Sequence, residues 1–188
     1  MDSHAKLVEM LASRSARRGT FTLASGRESD LYIDARLTTM SPDGLATIGP
    51  LALERLRVCG WTPDAVGGLT LGADPVSYAI AHASALAGAP ASAPVRAFTV
   101  RKEAKTHGTG KLIEGPFQPG DRVVVIEDVI TTGGSALKAA AAIREAGGVI
   151  LGVLAVVDRE EGGREVLEAA GLAVETLVGA AEIVARMR

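Results

Sequence analysis

The chain has 188 residues, of which 47% are hydrophobic and 22% are charged, and its formal net charge is -2. This length predicts one domain that buries roughly 70% of the surface of its unfolded chain, which excludes a disulfide mini-protein and a disordered tail. The near-neutral charge and the 3% aromatic content argue against an extensive basic surface or a stacking platform for nucleic acid. We therefore expect no nucleic-acid partner.

The single cysteine and the short apolar segments indicate the compartment. Cys59 has no second cysteine to pair with, so an internal disulfide is excluded, and a lone thiol is typical of the reducing cytoplasm. No segment approaches the ~18 consecutive apolar residues of a membrane span. The first 19 residues carry charges throughout and lack the apolar core of a signal peptide. We expect a cytoplasmic protein without a membrane partner.

The N-terminal third of the chain predicts two helices on either side of an extended segment. Apolar spacing predicts a helix over residues 2–18, with Gly19 at its C-terminal stop. Residues 21–37 are typical of extended chain, with a turn at 25–30, and helical spacing resumes over 43–58.

The rest of the chain alternates short apolar runs with helical patterns. The predicted elements are a strand entering GGLTLGAD (67–74), a helix from Pro75 to about 86, a strand at 95–100, a polar loop over 101–120, a strand at 122–126, a helix at 134–146, a strand at 149–157, a helix at 163–170, a strand at 172–178 and a helix at 180–187. Buried strands separated by helices predict an α/β fold with a central, mostly parallel sheet of five strands flanked by helices. We expect a single domain over 1–188, with 1–60 as an accessory (hood) layer and 61–188 as the α/β core.

The clearest functional signal is VVVIEDVITTGGS, residues 123–135. We expect the strand to end at Ile126, so that Glu127 and Asp128 emerge at its carboxyl end, where open parallel sheets bind ligands. Residues 131–135 then open a helix, whose unpaired N–H groups and dipole favour a phosphate. The two carboxylates suit sugar hydroxyls or a metal-bound ligand, so the whole unit predicts a site for a phosphorylated ribose.

The alternative is a solvated acid pair followed by an ordinary helix cap. Other phosphate-binding motifs fit poorly. Gly110 and Lys111 are followed by Leu112, so there is no G-x-x-x-x-G-K-[ST], and no G-x-G-x-x-G occurs.

A basic loop precedes this motif. The loop contains four Lys and Arg residues and two glutamates, Glu103 and Glu114, so its net charge is about +2. The cations are Arg101, Lys102, Lys105 and Lys111, and His107 lies among them in the sequence. Glycines would let such a loop close over a ligand, and its cations suit a polyanion. The alternative is a solvated charged loop.

Four stretches together resemble a known family. VVVIEDVITTGGS looks like the phosphoribosyl pyrophosphate (PRPP) signature of type I phosphoribosyltransferases. RKEAKTHGTGKLIEG (101–115) is similar to the mobile catalytic loop of orotate phosphoribosyltransferases, FTLASGRESDLYIDAR (21–36) resembles their N-terminal segment, and VVDRE (156–160) resembles the strand end whose arginine contacts orotate. The matches run from about residue 20 to residue 160.

This resemblance implies a type I phosphoribosyltransferase fold and transfer of phosphoribose to orotate, giving orotidine 5'-monophosphate in pyrimidine biosynthesis. It implies Lys105 and Asp128 as catalytic residues, and Thr131 and Arg159 as orotate contacts. The implied PRPP contacts are Arg101, Lys102, Lys105, His107, Glu127, Asp128, Val129, Ile130, Thr131, Thr132, Gly133, Gly134 and Ser135.

The resemblance also implies a cofactor and a partner. The expected cofactor is Mg²⁺, held mainly by substrate oxygens without a dedicated protein metal site. The expected assembly is a homodimer in which the 101–115 loop reaches the neighbouring active site.

Two residues of this chain differ from the pattern of the family, and two alternative functions stay open. Some relatives carry lysines where this chain has Ala24 and, in or near that place, Gly72. The rivals are a phosphoribosyltransferase for a purine base and a regulator that binds the sugar donor without catalysis. Tyr32 is equally consistent with base stacking and with core packing.

Overall fold

The computed structural model describes residues 2–22, 28–88, 93–103 and 112–187. Its N-terminal layer consists of α1 (Ser3–Met10), a π-helical segment (Leu11–Ser15), β1 (Ala16–Thr22), β2 (Glu28–Ile33), α2 (Arg36–Thr39) and α3 (Pro42–Val58). Strands β1 and β2 form an antiparallel pair in which Ala16 lies opposite Ile33. The predicted helix at 43–58 and the extended chain at 21–22 and 31–33 are confirmed, whereas residues 28–30, predicted as part of a turn, belong to β2.

The prediction of one helix over 2–18 is wrong. The helical apolar spacing ends at Leu11, and the chain becomes a strand from Ala16 onward, with Gly19 inside that strand rather than at a helix stop. The physical reason is tertiary, since pairing with β2 supplies this segment with hydrogen bonds that local helix propensity does not outweigh. The predicted extended segment also ends early, because α2 begins at Arg36.

The core continues with β3 (Ala65–Leu69), α4 (Ala73–Ala87), β4 (Arg96–Val100), β5 (Ile113–Glu114), β6 (Arg122–Ile130), α5 (Gly134–Glu145), β7 (Val149–Asp158), α6 (Gly163–Ala169), β8 (Val174–Gly179) and α7 (Ala180–Arg186). Within the described residues the sheet order is β5-β4-β3-β6-β7-β8. The five longer strands are parallel, as predicted, and β5 adds a short antiparallel edge to β4. The loop predicted over 101–120 therefore contains two strand residues.

The end of β6 differs from the prediction. The strand does not stop at Ile126 but continues to Ile130, because the long strand β7 pairs with it as far as Asp158. Glu127 and Asp128 consequently lie within the strand rather than beyond it. Glu127 is buried instead of facing solvent, with only 7% of its surface exposed.

Alternation along β6 divides the core into two layers. Val124 and Ile126 belong to a cluster shared with Leu7 of α1, Ile48 of α3 and Ile183 of α7. A second cluster, on the other face, contains Val123 and Val125 together with Ile143 of α5 and Leu167 of α6. Since successive strand residues point to opposite faces, both faces of the sheet are covered. The N-terminal layer packs on the first face.

Across the described parts of the chain, none of the helices combines the length and the apolar character needed to span a bilayer.

Candidate active site

A cavity of about 260 Å³ lies where the carboxyl ends of β3 and β6 face the N-terminal layer. Four parts of the core line it: the end of β6, the phosphate-loop residues Thr131 and Ser135, the end of β3 with the residues that follow it, and Lys102. The hood contributes the opposite wall, from Tyr32 to Arg36. The position is the one expected for ligands of parallel sheets, outside the carboxyl ends of the strands.

The two acids of the pair, Glu127 and Asp128, differ in their burial. Burial, and then the neighbouring Asp128 charge, raises the pKa of Glu127 to about 9. Glu127 is therefore a neutral carboxylic acid near pH 7, able to donate a hydrogen bond as well as accept one. Asp128 is only partly buried, and its Oδ1 accepts a hydrogen bond from the Val129 N–H at 2.9 Å. The wall thus presents an acid and a carboxylate side by side.

The phosphate loop follows β6 directly. Gly133 adopts a left-handed conformation with φ 78° and leads into α5, which begins at Gly134. A Cβ at Gly133 would lie 2.9 Å from the Gly163 carbonyl oxygen, so only glycine fits both the turn and this close approach. The free N–H groups of the first turn of α5 favour an anion there.

The segment after β3 is held by Asp74. The Thr70 hydroxyl donates to Asp74 Oδ2 at 2.6 Å, and the Thr99 hydroxyl of β4 donates to Asp74 Oδ1 at 2.8 Å. Gly72 packs against the acid pair, since a Cβ there would lie 2.5 Å from Asp128 Oδ1. Without a shift of Asp128, this position accepts no side chain.

Sequence reasoning missed Asp34 and Arg36 on the hood wall. Arg36 Nε donates to Asp34 Oδ1 at 2.8 Å, and Nη2 donates to Oδ2 at 2.9 Å. The only sequence signal is an acid and an arginine two residues apart, which is too common to indicate a site. Tyr32 lines the cavity with 40% of its surface exposed, and its ring centroid lies 5.3 Å from that of Phe21.

Arg159 lies just beyond β7, buried to 5% exposure. Its Nη2 donates to Ser29 Oγ at 3.0 Å, to the Leu31 carbonyl at 2.9 Å and to Glu161 Oε1 at 2.5 Å. Its Nε is buried and has no hydrogen-bond partner within the described chain. Arg159 is not among the described residues that line the cavity, but it holds the hood segment that forms the opposite wall.

The basic loop is described only at its ends. Lys102 lines the cavity, whereas Arg101 Nη1 lies 3.8 Å from Glu114 Oε1. The predicted contacts Lys105 and His107 lie outside the described residues, as does Ala24.

The structure brings together six of the predicted PRPP contacts in one cavity wall: Lys102, Glu127, Asp128, Val129, Thr131 and Ser135. The side chain of Ile130 instead packs in the core, which leaves only its backbone for a ligand. In the ranges that the structure describes, no three His, Cys, Asp or Glu side chains form a group that could hold a metal ion.

Comparison with known proteins identifies the fold first. An adenine phosphoribosyltransferase from Leishmania tarentolae superposes with a TM-score of 0.65, covering 96% of this chain and 89% of that one. At 17% identity this likeness concerns the fold alone. The fold is that of the type I phosphoribosyltransferases.

Closer relatives identify the family. Orotate phosphoribosyltransferase of Aquifex aeolicus is 46% identical over 179 residues, which cover 95% of this chain and 94% of the relative. The Mycobacterium tuberculosis enzyme of that name, solved with PRPP, has a TM-score of 0.79 at 42% identity and covers 97% of this chain and 99% of that chain. No family model matched the chain. The chain belongs to the orotate phosphoribosyltransferase family.

The buried acid makes stability depend on pH. Because the folded-state pKa of Glu127 is raised to about 9 from the ordinary 4.5, its contribution to stability is complete below pH 4.5 and is lost as pH rises toward 9. Over this range the loss is at most about 1.4 kcal/mol per pH unit. Glu127→Gln keeps the shape without the ionisation, so the free energy of unfolding of the variant should increasingly exceed that of the wild type as pH rises.

Urea unfolding at about pH 5 and about pH 8 measures this difference. Glu165→Gln, at an exposed position on α6, is the control and should follow the wild type at both pH values. If the free energy of unfolding of Glu127→Gln depended on pH as that of the wild type does, the raised pKa of Glu127 in the folded protein would be contradicted.

Proposed function

We propose that this chain transfers the 5-phosphoribosyl group from PRPP to orotate, forming orotidine 5'-monophosphate and pyrophosphate in pyrimidine biosynthesis. The main structural support for this function is that the phosphate loop, the acid pair and Lys102 line one cavity. The name of the Aquifex aeolicus relative and the PRPP bound to the Mycobacterium tuberculosis enzyme support the same reaction. In this proposal 1–188 form a single catalytic domain, with 1–60 as its hood.

The donor would bind along the β6 wall. The N–H groups of Thr132, Gly133 and Gly134 and the hydroxyls of Thr131 and Ser135 suit the 5-phosphate at the start of α5. Glu127 and Asp128 suit the ribose hydroxyls. A neutral Glu127 helps here, because it can donate to one hydroxyl oxygen while Asp128 accepts from another.

The reaction forms a bond between N1 of orotate and C1 of the ribose and breaks the bond from C1 to pyrophosphate. Positive charge develops on the ribose ring and negative charge on the leaving group. Asp128 is placed to stabilise the first charge, and the cations Arg101, Lys102 and Lys105, with His107, are suited to the second. We assign the closest catalytic roles to Lys105 and Asp128.

Mg²⁺ fits this site as a substrate-held cofactor. Asp128 presents a partly buried carboxylate to the cavity, whereas Glu127 is neutral, so the protein offers few anionic ligands. Mg²⁺ commonly accepts such a site, taking one or two carboxylates together with phosphate oxygens and waters. Asp128 would be a ligand of the ion. The ion would neutralise negative charge on the pyrophosphate.

Arg159 and Thr131 are the proposed contacts of orotate. Nε of Arg159 is a buried donor without a partner in the described chain, and a ligand carboxylate would satisfy it. A purine carries no carboxylate, so it would leave this donor unsatisfied. This observation favours orotate over a purine base.

The proposed assembly is a cytoplasmic homodimer in which the 101–115 loop of one protomer reaches the active site of the other. A loop of this composition can exclude water from the site when it closes.

A base-selection assay tests the function. Purified protein with PRPP and Mg²⁺ should consume orotate but not adenine, hypoxanthine or uracil, and a chelator should abolish the reaction. Absorbance of each base measures turnover. Turnover of a purine would refute the base assignment, and donor binding without any turnover would favour the regulator.

Arg159 tests the base site. Arg159→Ala should raise KM for orotate about tenfold or more and change KM for PRPP much less, because a charged hydrogen bond to the carboxylate is lost. Since Arg159 also holds the hood through Ser29, Ser29→Ala serves as the control for hood attachment and should leave KM for orotate nearly unchanged. A larger effect on KM for PRPP would remove Arg159 from the base site.

Subunit mixing tests the homodimer and its loop. Lys105→Ala and Asp128→Asn should each be nearly inactive, yet their co-expressed mixture should regain about a quarter of wild-type activity, since half of the dimers are mixed and each has one intact site. Each variant co-expressed with itself is the control. Activity no greater than that of the two variants alone would mean that the loop serves its own protomer.

A further inference from the structure

The cavity has a cation on its hood wall that no predicted role accounts for. Arg36 is the first residue of α2, and it lines the same cavity as Gly72 and Asp128. About half of its side chain is exposed, at 47%, although it is paired with Asp34. An arginine in this position can reach a ligand without any rearrangement of the core.

Asp34 fixes the direction of this guanidinium. The carboxylate accepts from the Arg36 backbone N–H at 3.1 Å and from Nε and Nη2, so it binds one edge of the planar group. Nη1 donates to no group in the parts of the chain that the structure describes. A guanidinium held by one edge is pre-organised to donate from its other end.

Position 72 itself supplies no side chain to the cavity. Because Asp128 fills the space in front of Gly72, a side chain there would collide with the carboxylate. Among the described lining residues, Arg36 and Lys102 are the cations, against the acids Asp34, Glu127 and Asp128. A pyrophosphate group in this cavity would therefore have a cation of the hood, Arg36, available in addition to Lys102.

The positions proposed for the other two anionic groups indicate which anion binds near Arg36. The 5-phosphate lies at Thr131 and Ser135 under the proposed function, and the orotate carboxylate at Arg159. The remaining anion, pyrophosphate, would then lie in the rest of the cavity, whose lining residues include Gly72, Lys102 and Arg36.

We propose that Arg36, oriented by Asp34, is a pyrophosphate-binding residue that contributes positive charge from the hood in addition to the charge of Lys102. This inference rests on the proposed function and adds a binding residue to it. Arg36 contacts the leaving group of the donor, whereas Asp34 acts as a positioning residue.

Arg14 provides a matched control. It makes the same kind of two-point pair, with Asp43, at 2.8 and 2.7 Å, and its side chain is 42% exposed. It is not among the described residues that line the cavity. Arg14→Ala therefore removes an equivalent surface pair without touching the site.

The experiment measures binding of inorganic pyrophosphate with Mg²⁺ by calorimetry, and KM for each substrate. Arg36→Ala should weaken pyrophosphate binding about tenfold and raise KM for PRPP by a similar factor, while KM for orotate stays unchanged. Asp34→Asn should shift both quantities in the same direction by less, and Arg36→Lys should recover part of the loss. Arg14→Ala should match the wild type in every measurement.

Two results would overturn the inference: unchanged pyrophosphate binding in Arg36→Ala, or a rise confined to KM for orotate. Equal urea midpoints for Arg36→Ala and Arg14→Ala would show that folding is not the cause. The calorimetric measurement of pyrophosphate binding tests this inference independently of the proposed activity. If the wild type binds pyrophosphate but turns over no base, the activity fails while the role of Arg36 is still decided.

Discussion

The active site depends on the parallel pairing of β6 with β7, which continues past Ile126 to Ile130 and Asp158. This extension draws Glu127 into the sheet and starts the phosphate loop one residue after the strand ends. It also brings Arg159 beside the loop, because the Arg159 N–H donates to the Ile130 carbonyl at 3.0 Å. The proposed donor end and the proposed base end of the site are therefore joined through the backbone.

Burial then determines the charge of the acid pair. Two carboxylates beside a polyphosphate would repel it, and neutralising one of them removes half of that repulsion. Here the protein environment does so, since burial and Asp128 keep Glu127 protonated at neutral pH. Asp128 remains as the carboxylate of the cavity wall, close to Gly72. The balance of charge in the cavity is thus a consequence of how deep each acid lies.

The hood completes the site from a distant part of the chain. Arg159 donates to Ser29 and to the Leu31 carbonyl, so the base end forms only when β2 is docked on the core. The same docked segment leads into Asp34, whose N–H donates to the Ser15 carbonyl at 2.9 Å. Arg159 of the core and strand β2 of the hood are therefore held together by these hydrogen bonds.

The sequence by itself determined the parallel core, the helices that cover it and the phosphate loop at 131–135. These features follow from local patterns, namely buried β-branched runs, helical spacing and a Thr-Gly-Gly-Ser turn, which depend little on distant partners. Only the tertiary structure decided that residues 16–22 form a strand, that β6 extends to Ile130 and that Glu127 is buried. It alone placed Arg36 in the same cavity as Gly72 and left Nε of Arg159 without a partner in the described chain. The physical reason is that strand length, burial and cavity walls arise from pairing between segments far apart in the chain, which a local pattern does not encode.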